Sequence, residues 1–380
     1  MAEVSGTAVR AARRGKKRPE GFDWAGLRAD LRGALPDASL ALVVTGLIYW
    51  LLYVRIQNGS SATVEIMPML ADGEFWMYWL CQAFGWSALL WAYLTVVFGL
   101  MRSGPRPRWR WLPAARLEKW HRTTSLTTIG LMFMHAFFFF ADQLRTNQDT
   151  WSFGRSLWTA FVDVFVPGGY ATGTGRVAVF VGLLAFYLAI PLGLAFYLRH
   201  RTGSRLWLAL HRFVIAVYVL SAWHTLLYST QAWFDGPFRT FLWAMQIPLA
   251  ALLLARLLAP ARPGERLRAR GPGGRGHAVP FGARLAARIA AGATVVGLVA
   301  VVVTGVDGGR PHDGAAAAPW PHKWVIWAGL AVFLLAVAAV VVRLRRRARD
   351  GNGHGGQDSN GDVPGARAAG DLTAAPADRN

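Results

Sequence analysis

A single cysteine, Cys81, stands in 380 residues. That excludes an intrachain disulfide, a cysteine-ligated iron–sulfur cluster and a zinc ribbon. Charge is also scarce: 16% of residues are charged, against about 25% in an ordinary soluble domain. Acids are the scarcer sign, with 21 Asp+Glu against 41 Lys+Arg and a net charge of +20. They are nearly absent from the apolar runs, which argues against an ion- or proton-coupled transporter. The basic excess clusters beside those runs, so it points to topology and anionic lipid and not to nucleic acid. The chain shows no strand-rich flavin barrel and no dinucleotide fingerprint, so no flavin or NAD(P) site is expected in it. Its N-terminus has no cleavable-signal pattern, and the first long apolar run, beginning near Ala38, reads as an anchor.

What is abundant is apolar sequence: 54% of residues are hydrophobic and the mean hydropathy is +0.29. Eight runs are long enough to cross a bilayer as helices: 38–55, 75–101, 121–141, 177–198, 207–228, 238–258, 287–306 and 324–342. The fold class expected is an all-α polytopic membrane protein, a six-helix bundle over 38–258 plus two extra C-terminal spans over 286–343. Residues 1–37 are a basic N-terminus in which 22–35 forms either a surface helix or a linker. Residues 259–285 are a basic linker, and 344–380 a polar, disordered tail. Lys/Arg-rich loops alternate with poorer ones, which places both termini in the cytoplasm. The richness in Ala, Arg, Gly and Pro suggests a bacterial cell membrane as the location. The loop 142–176, with Trp151, Trp158 and Phe161, is too apolar for a free linker and is expected to fold over the outer surface.

Four histidines then stand out. His121 and His135 lie 14 apart in the third run, and His211 and His224 lie 13 apart in the fifth. Helical rise converts these spacings to about 21 and 19.5 Å, so His121 and His211 share an inner level and His135 and His224 an outer one. Ionisable groups at matched depths need a shared reason. Two haems, each held between the same two helices, supply the most economical one. Arg122 and Arg212 follow the inner histidines and suit the propionates of an inner haem. Arg145, Tyr228 and Gln231 stand nearest the outer level. Azimuth is a constraint: 14 steps return His135 to within about 40° of His121, but 13 steps leave His224 about 140° from His211 on a straight helix. The fifth span must therefore be kinked, rewound or tilted, although it holds neither Gly nor Pro. The competing reading is four buried histidines that merely bridge helices.

These residues resemble the ferric reductase-like transmembrane domain, the membrane haem module of ferric reductases and NADPH oxidases. The resemblance spans roughly 75–258 and rests on the two histidine pairs, on the stretch Arg205 to Arg212, and on Val166-Pro167 before the fourth span. It implies two b-type haems, each with two histidine ligands (His121 with His211, His135 with His224), passing single electrons across the membrane. It makes the chain an oxidoreductase component. The electron donor is then a separate cytoplasmic protein or a quinol, and the acceptor lies outside, ferric iron being one example. Other members carry a flavin- and nicotinamide-binding domain after the sixth span, where this chain has a basic linker and two further spans. Two other functions fit the same residues. One is a haem subunit feeding an extracytoplasmic reductase, as in methionine sulfoxide reductase systems. The other is a non-redox transporter or scaffold. His312 and His322, between the last two spans, are either a metal contact or simply solvated.

Overall fold

A computed structural model describes residues 21–104, 113–146, 151–171, 175–234, 236–259 and 278–304, with Ala331 and Leu335. The chain divides into two compact units, Met1–Gly329 and Leu330–Asn380. The helices and the four histidines described here lie in the first. The eighth expected span, the loop with His312 and His322, and the tail lie outside the described residues but for Ala331 and Leu335.

Regular structure among the described residues is helical: α1 Trp24–Gln57, α2 Ala62–Ile66, α3 Trp76–Ser103, α4 Ala114–Arg145, α5 Phe153–Phe165, α6 Gly175–Leu194, α7 Arg199–Thr202, α8 Ser204–His211, α9 Val214–Tyr228, α10 Pro237–Ala244, α11 Gln246–Leu258 and α12 Ala278–Thr304. Five helical stretches are long and apolar enough to cross a membrane: Trp24–Gln57, Gly73–Ser103, Ala114–Arg145, Gly175–Thr202 and Pro237–Leu258. Shorter apolar helices cover Val214–Leu226 and Arg288–Thr304. The protein is an all-α, multi-pass membrane protein.

The first helix is longer than its apolar run. Asp23 caps it by accepting from the Gly26 N–H at 2.8 Å, and the helix runs unbroken to Gln57. Residues 22–35 are therefore not a separate surface helix: from Trp24 on they are its first turns. Two carboxylates thereby enter the bundle. Asp30 pairs with Arg122 and accepts from the Tyr197 hydroxyl at 2.9 Å. Asp37 accepts from Trp91 Nε1 at 3.1 Å and Thr127 Oγ1 at 2.5 Å. Small residues on the buried stripe (Ala34, Ala41, Thr45) let α1 approach α3 closely, where Thr45 and Ser87 are joined at 2.8 Å. The other face, with Leu40, Leu47 and Trp50, is exposed, as suits lipid.

At the centre α4 packs along α3 and against α6, and α9 along α6. Buried threonines replace aliphatics where α3 and α4 meet: Thr95 donates to Thr124 at 2.9 Å, and Thr128 bonds the Thr124 carbonyl at 2.7 Å. Such hydroxyls satisfy themselves on their own helix and cost little where no water reaches. Aliphatic and aromatic clusters fill the rest, with Phe84, Trp91 and Leu131 on one side of α4 and Ala185, Ala189 and Val217 on another.

The fifth span is interrupted. His211 ends α8, Arg212 and Phe213 form a turn, and α9 starts at Val214. Phe213 N–H donates to Leu210 O and Ala216 N–H to Phe213 O, both at 2.9 Å. These are i→i−3 bonds, which wind the chain at about 120° per residue instead of about 100°. At about 20° gained per residue, this tightened turn takes up part of the azimuth conflict of the 13-residue spacing. Upstream, Gly203 at φ +83° turns the chain from α7 into α8, a conformation open to glycine at little cost.

Candidate functional site

The structure brings the four histidines together in the expected pairs. The His121 and His211 ring centres are 5.7 Å apart with planes at 83°. Those of His135 and His224 are 6.1 Å apart at 73°. Two imidazole nitrogens on one metal, each ~2 Å from it, set the ring centres roughly 6 Å apart.

Each ring is oriented from behind. Nδ1 of His121 lies 2.9 Å from the Thr95 carbonyl oxygen, that of His135 2.8 Å from the Cys81 carbonyl, and that of His224 2.8 Å from the Ala178 carbonyl. A carbonyl only accepts, so Nδ1 carries the proton in all three. Nε2 is left with its lone pair, the arrangement found behind metal-bound histidines. His211 is held differently, by Trp207 stacked on it at 5.4 Å and 25°. The buried Cys81 thiol sits 3.4 Å from His135 Nδ1.

Three glycines make room for these rings. A Cβ at Gly85 would meet His135 Nδ1 at 2.9 Å, one at Gly99 would meet His121 Cε1 at 3.0 Å, and one at Gly182 would meet His224 at 3.3 Å. Sequence reasoning missed all three, yet a signal exists. Gly85 and Gly99 are separated by 14 residues, the same interval as His121 and His135 on the antiparallel neighbour.

A cavity of about 850 Å³ holds the outer pair. Its lining includes His135 and His224, with Gly85 and Gly182 behind them. No Lys or Arg occurs in that lining among the described residues, but Asp142 and Asp163 do. Burial pushes the Asp163 carboxyl above the usual carboxylate range. Of the residues expected near the outer level, Arg145 reaches the Glu74 carbonyl and the Trp76 ring. Gln231 donates to Ser61 and Thr63, at 2.8 Å each. The Tyr228 side chain lies outside the described set.

The inner level has basic surroundings. Arg102 is close enough to interact electrostatically with both His121 and His211. Arg122, expected beside an inner propionate, pairs with Asp30 and lies over Phe196 at 5.4 Å. Arg212 is exposed on the turn. Arg199 stacks on Phe196 at 3.7 Å, and Phe196 meets the edge of Trp207 at 5.6 Å.

These features test what the pairs could hold. Two histidines are too few for a bare metal ion, which takes about four ligands. Among the described residues no group of three His, Cys, Asp or Glu could complete a set. Two is the number a haem requires, because its ring supplies the other four. Buried polar atoms also lack partners at both levels: Trp207 Nε1 at the inner, Asp142 Oδ1 and Ser156 Oγ at the outer. A buried polar atom without a partner is costly, and Trp207 Nε1 and Ser156 Oγ could donate to a carboxylate. The residues present fit a haem at each level.

Residues 84–222 match the family of the ferric reductase like transmembrane component. The matched segment contains His121, His135 and His211 and the three glycines behind the rings. It ends two residues before His224. The match suggests transmembrane electron transfer and an oxidoreductase component. No curated protein and no solved structure matches the chain.

Proposed function

We propose that this protein carries single electrons across the membrane through two b-type haems, one between His121 and His211 and one between His135 and His224. The observation that carries the proposal is the pair of ring separations, 5.7 and 6.1 Å, at two levels of one bundle. Held by His121 and His211 at the inner level and by His135 and His224 at the outer, each haem would supply a one-electron couple. The chain's own residues do the rest. The Thr95, Cys81 and Ala178 carbonyls fix the imidazole tautomers and raise the basicity of Nε2. Gly85, Gly99 and Gly182 let the rings lie against neighbouring helices. Met132, Val217 and Leu220, packed between the levels, exclude water from the path. Trp207 Nε1 and Ser156 Oγ, together with Arg212, are the groups offered to propionates; Arg122 serves the inner level indirectly, by holding α1 through Asp30.

Electrons enter from a separate cytoplasmic donor at the inner level and leave at the outer level to an external acceptor, in a cell membrane with both termini inside. The test is a dithionite-reduced minus oxidised spectrum of the purified chain with a pyridine haemochrome count. Two b-type haems per chain are expected. A colourless protein, expressed with ample haem, overturns the proposal and favours histidines that only bridge helices.

A further inference from the structure

Between α4 and α6 lies one helix, α5, of 13 residues. At about 1.5 Å per residue it is roughly 20 Å long, too short to cross a hydrocarbon layer of about 30 Å. Its polarity runs opposite to that of a helix covered by water. Phe153, Leu157, Trp158 and Phe161 point away from the bundle, Phe153 being 72% and Trp158 66% exposed. Ser156, Thr159 and Asp163 sit on the other face, toward the outer cavity. The one charged residue on the exposed side is Arg155, in the first turn, with its guanidinium 4.4 Å from the centre of the Trp151 ring.

Depth decides what meets the exposed face. Phe165, which ends α5, touches two helices at known heights. Its ring centre is 5.8 Å from that of Phe140, which stands about 7.5 Å above His135 along α4. Its carbonyl oxygen accepts from the Tyr187 hydroxyl at 2.5 Å. Tyr187 lies about 18 Å along α6 from the start of that helix at Gly175. It adjoins Phe186, whose ring packs on Phe133 just below His135. The helix therefore descends to about the level of the outer histidines. The chain then returns: a Cβ on Gly175 would meet the Tyr170 ring at 2.5 Å.

The reversal is made by Val166–Gly169. Gly168 takes φ +87°, and a Cβ on Gly169 would fall 2.0 Å from the Val162 carbonyl oxygen. Lipid offers no hydrogen bonds, so non-helical backbone at this depth must find its partners in the protein. Val166 N–H donates to Val162 O at 3.1 Å and Gly169 N–H to Val166 O at 2.9 Å. Pro167 has no N–H to satisfy. The Ala171 carbonyl accepts from Arg176 Nη2 at 2.6 Å.

We propose that α5 and this turn form a re-entrant hairpin in the outer leaflet, with the Phe153, Leu157, Trp158 and Phe161 face bedded in lipid. Exposed rings on the helices it touches, Phe133 and Phe137 on α4 and Tyr187 on α6, continue the same apolar surface. Trp151 and Arg155, at the outer end, stand at headgroup height, where an indole and a snorkelling guanidinium both fit. The opposite face lines the outer cavity, so α5 is the wall between that cavity and the acyl chains. A soluble partner would meet this face only if α5 lay above the membrane.

The test uses the full-length chain in phosphatidylcholine nanodiscs. Trp158→Cys, Phe161→Cys and, as an exposed residue of the outer loop after α1, Glu65→Cys are each labelled with bimane; the unsubstituted chain, whose Cys81 is buried, gives the labelling blank. Phosphatidylcholine brominated on its acyl chains should remove most of the emission at 158 and 161 and spare 65. Aqueous iodide should do the reverse. Leu157→Cys serves in place of either α5 variant that fails to fold. Iodide quenching at 158 and 161 equal to that at 65 overturns the inference and makes the face a surface for a soluble partner. Protection from both quenchers overturns it in favour of burial against a second copy of the chain. The inference needs only the membrane location, so the same outcome is expected whether or not the chain carries haem.

Discussion

The two histidine levels share a ring geometry and differ in almost everything around it. The inner pair, 5.7 Å apart, sits among cations: Arg102 acts on both rings, and Arg122 and Arg199 flank Phe196, which leads through Trp207 to His211. The outer pair, 6.1 Å apart, opens into a cavity whose described charged groups include two carboxyls and no Lys or Arg. Two sites alike in ligand type can thus be set at different redox poise by their surroundings alone. Positive charge stabilises the added electron, and negative charge opposes it. On the proposed function, the inner haem would be the electrostatically easier one to reduce, and outward transfer would draw on a membrane potential negative inside, about 2.3 kcal/mol per elementary charge per 100 mV.

The sharpest way to separate the levels is to remove their ligands. His135→Ala or His224→Ala should abolish one haem of the two, and His121→Ala or His211→Ala the other, each read as half the haemochrome absorbance with a distinct difference spectrum. Full haem content in all four variants would falsify the ligand assignment. A smaller effect is expected behind the rings. Gly85→Ala and Gly99→Ala set a methyl 2.9 and 3.0 Å from the imidazoles of His135 and His121. Overpacking of that kind costs about 1–3 kcal/mol. Each should lower occupancy and alter the spectrum of its own level only, whereas Gly182→Ala, at 3.3 Å, should be milder. If Gly85→Ala disturbed both levels equally, the pairing of glycines with histidines would be wrong.

Weaker still is the clamp on the first helix. Asp30→Asn removes the Arg122 pair on a partly exposed guanidinium, so about 1 kcal/mol is expected. Thermal unfolding should shift slightly, with haem content kept at both levels. The smallest effect concerns Arg102, which is ion-paired with Glu118 at 3.4 Å and partly solvated. Arg102→Gln should lower the inner midpoint in a potentiometric titration and leave the outer one in place. Equal shifts at both levels would remove the electrostatic contrast drawn above.

Much of the site was legible because membrane sequence is sparse in polar residues, so four histidines stand clear of their background. The pairing followed from helical rise, and the need for distortion in the fifth span followed from helical pitch. The form of that distortion was not legible: neither Gly nor Pro marks Arg212-Phe213, and i→i−3 bonding leaves no residue signature there. The start of the first helix was also hidden, because Asp30 and Asp37 read as the end of a polar leader until their partners on α3, α4 and beyond α6 were placed. The loop 142–176 was expected to fold over the outer surface. Its helix, α5, does pack on α4, but that its polar face points inward depends on tertiary contact and not on periodicity.

The glycine and histidine intervals have one more consequence. Because α3 and α4 run antiparallel and touch at both levels, the 14 residues from Gly85 to Gly99 and the 14 from His121 to His135 act as one ruler cut into two helices. Inserting a single residue in either would turn one contact by about 100° and shift it by about 1.5 Å while the other stayed fixed. Lineages descended from this chain can change most of the residues between those marks, but not their number in one helix alone.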